Sequence, residues 1–186
     1  VEGRENVCVE TVSTSHLLLG INQTVTVQAS LRNYGERNHE ALRVIFHADG
    51  KPVDEQQIPL GAGERRQVRF RHSFDTPGSH VIEVATNADS LKADNIFRAS
   101  IPVWDKVPVL VINGAPDTEP LKGETDFLQI ALQPYREGGE PDLVDLLESR
   151  IINVADFNAA AIGDTRVVVL ANVSQLQRSQ LNELQT

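Results

Sequence analysis

Apolar and polar residues alternate with a period of two through most of the first hundred positions, and this constrains the fold more than any other feature of the chain. Val25, Val27, Ala29 and Leu31 interleave with Thr24, Thr26, Gln28 and Ser30. Successive side chains of a strand point to opposite faces, so such a segment buries one face and wets the other. Asn33-Tyr34-Gly35 ends the run. Leu42, Val44, Phe46 and Ala48 repeat it, and Asp49-Gly50 supplies a two-residue hairpin turn toward Val53. A connecting strand near Gln56 to Leu60 leads to the turn Gly61-Ala62-Gly63. Val68, Phe70, His72 and Phe74 share a face opposite Gln67, Arg69, Arg71 and Ser73, and Pro77-Gly78 turns the chain into His80, Ile82 and Val84. Phe97, Ala99, Ile101 and Val103 make the last strand, and Val7-Val9-Thr11 the first. About seven short strands within about 100 residues, separated by turn signals, predict an immunoglobulin-like, all-antiparallel β-sandwich.

The pattern changes at Trp104-Asp105-Lys106. Val107 to Ile112 is a continuous apolar run closed by Asn113-Gly114, as expected of a strand covered on both faces of a parallel sheet. A helix is predicted from Glu124 to Gln133, ended by Pro134. Two further apolar runs follow, Ile151 to Val154 and Val167 to Ala171. The second leads into Ser174-Gln175-Leu176-Gln177, a capping-box match with Ser174 as N-cap, after which Leu176, Leu181 and Leu184 share a helix face. Arg136 to Pro141 reads as a loop. Strands alternating with helices predict an open α/β sheet. Two domains are therefore expected, 1–104 and 107–186, the second an incomplete α/β domain.

The charge is uneven. The chain carries a net −9, of which residues 1–106 contribute 14 acids and 12 bases and residues 107–186 contribute 12 acids and 5 bases. An acidic balance argues against a nucleic-acid partner, which requires a basic face. No run approaches the roughly 20 apolar residues of a membrane helix. The single cysteine, Cys8, excludes an intrachain disulfide, and among Val7 and Val9 it reads as a buried thiol. The chain has no methionine, opens Val1-Glu2-Gly3 and stops within an amphipathic run, so it is expected to be part of a longer parent.

Four segments carry a family resemblance: Val27 to Gly35, Leu60-Gly61-Ala62-Gly63-Glu64, Pro77 to Val84, and Asp89-Ser90-Leu91-Lys92-Ala93-Asp94-Asn95. In this order they resemble the bacterial cell-adhesion-related CARDB-type immunoglobulin-like domains. Val109 to Gly114, Glu124 to Leu128 and Val167 to Val173 resemble the start of a class I glutamine-amidotransferase-like, flavodoxin-like three-layer domain. In bacterial membrane proteins of the BatA aerotolerance type, such a domain follows such a sandwich. The resemblance implies an extracytoplasmic segment of a membrane-anchored envelope protein. It does not bring activity with it, because residues 107–186 contain neither the cysteine nor the histidine that amidotransfer requires.

Few residues offer chemistry. Asn113, Asp117 and Asn172 fall at the carboxyl ends of the predicted parallel strands, where open α/β sheets bind ligands, and are the candidate ligand-binding residues. Loop architecture explains them as well. His72 and His80 fall on apolar strand faces and could meet across the core, yet without further ligands they read as core or edge histidines. Asp89, Asp94 and Asn95 offer too few oxygens for calcium. Gly61-Ala62-Gly63-Glu64 reads as a hairpin turn, since a dinucleotide fingerprint needs a third glycine and a following helix. Arg65, Arg69 and Arg71 form a basic stripe that could grip an anionic glycan or simply solvate a strand. No nucleophile–base pair is found, so no catalytic residue, metal or cofactor is assigned. The expected function is a non-catalytic structural or protein-interaction region, with a protein partner or self-association. The alternatives are an amidotransferase-like enzyme fragment whose centre lies beyond residue 186, and a carbohydrate-binding module.

Overall fold

The computed structural model describes residues 5–16, 18–89, 91–119, 121–136 and 145–185. The chain forms two compact units, Val1–Trp104 and Asp105–Thr186. The first holds β1 (Val7–Thr14), β2 (Leu19–Gly20), β3 (Val25–Asn33), β4 (His39–Ala48), β5 (Lys51–Leu60), β6 (Arg65–His72), β7 (Gly78–Thr86) and β8 (Ile96–Trp104). They pair as two sheets, in the orders β1-β3-β6 and β2-β8-β7-β4-β5. The alternation at Val25 to Leu31 is realised strictly, with each odd-numbered residue buried. Phe46 and Phe70 stack across the core with ring centroids 5.4 Å apart, among Leu31, Val44, Leu60, Ile82 and Val84. Each such side chain contributes about 1.5–3 kcal/mol by leaving water. Asp49 and Gly50 both adopt positive φ, 50° and 76°, which matches the turn to the twist of β4 and β5.

Five expectations for this unit change. The sandwich is not all antiparallel: Leu19 and Gly20 of β2 pair parallel with Val103 and Trp104 of β8. Two residues offer too little pattern to be read as a strand. Thr11 is exposed, because a bulge at Glu10 shifts the register of β1 and turns Val12 inward in its place. Cys8 is half-buried on the outer face, as it must be once Val7 and Val9 point into the core. Phe74 is buried but lies beyond the end of β6, and Val53 belongs to the same ten-residue β5 as Gln56 to Leu60.

The second unit is built on β9 (Val107–Asn113), flanked in parallel by β10 (Leu147–Asn153) and β11 (Val167–Ala171) in the order β10-β9-β11. Helices α1 (Glu124–Leu132), α2 (Ala159–Ile162) and α3 (Arg178–Glu183) complete it. Only β9 is covered on both faces. Val167 and Leu170 of the edge strand β11 are exposed, so the expectation of three fully covered runs fails for the outer two. Val154 lies in a short 3₁₀ turn after β10. Leu110 and Ile112 pack with Phe157, against which Ile152, Val154, Leu176 and Leu184 also lie. The helix after β11 begins at Arg178, with Gln177 as N-cap, not at Ser174. The Gln180 side chain accepts the Gln177 amide at 3.0 Å and donates to the Val154 and Phe157 carbonyls at 2.8 and 3.1 Å. These three bonds fix the start one turn later than the Ser-x-x-Gln pattern suggests. Leu176 therefore precedes the helix, and Leu181 is exposed on it. Beyond Arg136, the expected Arg136 to Pro141 loop lies outside the described residues.

Candidate functional site

The strand ends of the second unit hold the ligand-binding candidates. Asn113 closes β9 and is nearly buried. Its side chain donates to Thr125 Oγ1 at 3.0 Å and accepts the Ala115 amide at 3.0 Å, so both ends of the amide group serve the chain itself. Asn172 follows β11 with φ +52°, a left-handed conformation that asparagine tolerates. The two strand ends meet at Gly114, whose amide donates to Ala171 O at 2.8 Å. A Cβ there would come within 2.6 Å of the Asn172 carbonyl carbon and the Val173 Cα, so only glycine fits. Asp117 lies apart, exposed, in a local turn in which it accepts the Glu119 amide at 2.9 Å. The structure thus brings Asn113 and Asn172 to one edge and leaves Asp117 in the following loop.

In the sandwich, His80 is held at both ring nitrogens. Its Nδ1 lies 2.7 Å from Asp49 Oδ2 and its Nε2 lies 2.9 Å from the Thr76 carbonyl. Carboxylate and carbonyl oxygens only accept, so both ring nitrogens are best satisfied when both carry protons. The Asp49 hydrogen bond accordingly raises the His80 pKa above the ordinary 6.5, and His80 in turn lowers that of Asp49. Asp49 also accepts the Val81 amide at 2.8 Å, tying the β4–β5 hairpin to β7. His72 behaves oppositely, because burial holds its pKa below the ordinary value. Both imidazoles pack on the Phe74 ring, with centroids at 4.5 and 4.3 Å, rather than on each other's nitrogens. The Asp49–His80–Thr76 fastener was not foreseen from sequence. The signal was present as a histidine on an apolar face beside a turn aspartate.

The remaining motifs also resolve into architecture. Glu64 accepts the Gly61 amide at 2.7 Å, making Gly61 to Glu64 a closed turn between β5 and β6. Asp89 accepts the Val7 amide at 2.7 Å, the Leu91 amide at 2.8 Å and the Asn95 side chain at 3.1 Å, while the Asp94 carbonyl accepts the Val9 amide. This Asp89 to Asn95 segment, of which Ser90 lies outside the described residues, anchors β1. Glu10, displaced outward by the bulge, receives Arg65 at 2.7 and 3.1 Å and the Tyr34 hydroxyl at 2.7 Å, which lowers its pKa to about 2. Among the described residues, no group of three His, Cys, Asp or Glu side chains could hold a metal ion, and no helix is long and apolar enough to cross a membrane.

Residues 8–95 match the CARDB family model. The solution structure of a CARDB domain from Pyrococcus furiosus is 16% identical, with a TM-score of 0.50 over 55% of this chain and 97% of that one. A crystal structure of that domain in complex with di-metal ions gives 16% identity and a TM-score of 0.48 over 53% of this chain and 93% of its own. A domain of a Methanosarcina acetivorans protein, described as a cell surface protein, gives 20% identity and a TM-score of 0.46 over 54% and 93%. Among curated proteins none matches the chain. The first unit has the CARDB-like sandwich fold, and the molecule as a whole is mostly β.

Proposed function

We propose that this chain is a non-catalytic spacer and interaction region on the extracytoplasmic side of a membrane-anchored bacterial envelope protein. The observation that carries the reading is the CARDB match on a sandwich whose distinctive polar side chains fasten its own backbone. A histidine held on both nitrogens, or a carboxylate filled by main-chain amides, stiffens a module and has little capacity left for chemistry. The order β10-β9-β11 is that of the first three strands of a flavodoxin-like sheet, which supports the resemblance of the second unit to a glutamine-amidotransferase-like domain. Residues 107–186 contain no cysteine, and Cys8 of the first unit has its thiol pKa raised by burial and by the nearby carboxylates of Asp94, Glu10 and Asp89. A thiol held protonated is a poor nucleophile.

Two measurements test the reading. Purified chain incubated with glutamine and with an activated ester is expected to match the blank, and turnover abolished by Cys8→Ser would refute the non-catalytic assignment. In cells expressing the parent protein, protease added after outer-layer permeabilisation is expected to cut the region before the cytoplasm is opened. Cleavage only after lysis would place it on the wrong side of the membrane.

A further inference from the structure

The described arginines of the first unit divide into two groups. Arg37, Arg43, Arg65, Arg66 and Arg98 each hold a carboxylate, on Glu5, Glu55, Glu10, Glu64 and Glu83. Arg32, Arg69 and Arg71 pair with no carboxylate among the described residues, and all three point from the outer face of the β1-β3-β6 sheet. In its register Arg32 stands opposite Arg65, Gln28 opposite Arg69 and Thr26 opposite Arg71. On β1, Thr11 and Ser13 stand beside Ser30 and Gln28. Like charges directly opposite destabilise a sheet. Here Glu10 engages Arg65, and the Arg32 guanidinium lies 4.7 Å over the Tyr34 ring. Arg69 Nε donates to Gln28 Oε1 at 2.9 Å, which orients the group and leaves its terminal nitrogens without a partner among the described residues. Arg71 has none at all among them. Ser15, Thr26, Arg69 and Arg71 line a cleft at this end of the face together with Asp54 of β5.

We propose that this face binds a linear acidic polysaccharide, its carboxylates on Arg32, Arg69 and Arg71 and its hydroxyls on the interleaved Thr, Ser and Gln side chains. The inference rests on the interaction reading above and names a partner for the first unit. A guanidinium presents a planar fork that matches a carboxylate bidentately. Outward residues of a strand recur every ~7 Å, so Arg69 and Arg71 follow one another along β6, with Arg32 on the neighbouring β3 toward the other end of the face, and the three suit a chain laid along the strands. The outward positions of the three strands carry no large apolar side chain, and a protein interface needs an apolar or aromatic centre. On the free edge of β6 the Gln56 side chain donates to the Arg69 carbonyl at 2.7 Å, which takes one acceptor away from an added strand. The positive face is local, on a chain of net charge −9, so it selects by position and not by bulk charge.

The test titrates the full chain with polygalacturonate, with its fully methyl-esterified form and with a polyglutamate peptide, at two salt concentrations. Saturable, salt-sensitive binding to polygalacturonate alone is expected. Arg69→Gln with Arg71→Gln should weaken it about tenfold, Asp54→Asn should strengthen it, and Arg98→Gln on the other sheet should leave it unchanged. Melting curves confirm that each variant is folded. Binding that survives the double substitution would overturn the face. Equal binding of polyglutamate would make the partner an acidic protein segment and overturn the glycan, and binding to none of the three would overturn both. Reducing ends released in the same samples would instead overturn the non-catalytic reading, while the titration decides the face independently.

Discussion

His80 and His72 lie against the same phenyl ring and respond to acid in opposite senses. His80 has a folded pKa raised above its ordinary 6.5 by Asp49, so its contribution to stability is complete below about pH 6.5 and is lost as the pH rises through the folded value. His72, lowered by burial, costs stability once the pH falls below the ordinary value, because the unfolded chain takes up that proton first. Urea melts of His80→Gln should therefore show a loss of about 1–3 kcal/mol near pH 6, with the gap to the parent chain narrowing toward pH 9. A gap that stays constant with pH would mean that His80 serves as a neutral spacer. Gly114→Ala is a second residue-scale test. The atoms its Cβ would meet are backbone and cannot turn aside, so about 3 kcal/mol is expected, read as lost hydrogen-exchange protection in β9 and β11. Both histidines were legible as members of apolar faces. The hydrogen-bond partners of His80 were not, since Asp49 lies 31 residues away and reaches it only once the hairpins are folded, while the Thr76 carbonyl, four residues away, is backbone that no side-chain pattern marks.

At the level of elements, boundaries followed the apolar runs closely where burial decides them, as for β9, whose span Val107–Asn113 is the run Val107 to Ile112 with one residue added. They failed where hydrogen bonds decide. The extra residue at Glu10 is missed when the period of two is carried on from Val7 and Val9 to Thr11, although Val12 takes the inward place, and the outward Glu10 is held by Arg65 and Tyr34. The start of α3 failed for a related reason. Ser174-x-x-Gln177 and Gln177-x-x-Gln180 are rival caps, and the second wins because Gln180 also satisfies two buried carbonyls. Gln180→Leu should keep the volume, leave the Phe157 carbonyl without its Gln180 donor and leave the Val154 carbonyl only the Phe157 amide at 3.4 Å, costing about 1–3 kcal/mol. Amide exchange across 178–184 should accelerate. Unchanged exchange would show that Leu184 packing alone docks the helix.

Across the whole molecule, two kinds of periodicity made both units readable, and what they hid was exposure. Phe127 and Ile130 lie on the outward side of α1, each more than half exposed, and Val167 and Leu170 leave the free edge of the β10-β9-β11 sheet apolar. Surfaces of this kind favour association. The full chain is expected to associate through residues 107–186, and Phe127→Glu with Ile130→Glu should return it to a monomer in light scattering. A parent chain that is already monomeric at high concentration would refute this. The meeting of strand ends at Gly114 has a chemical consequence as well. In an Asn-Gly pair the glycine nitrogen readily attacks the asparagine side-chain carbonyl and expels ammonia, forming a succinimide that water opens to isoaspartate or aspartate. Here that nitrogen donates to Ala171 O, while the Asn113 side chain is held by Thr125 and Ala115. Native chain stored at neutral pH should keep Asn113 intact, whereas chain held in urea should deamidate there first by peptide mapping. Each molecule would then carry at Asn113 a covalent record of how often its second unit has opened.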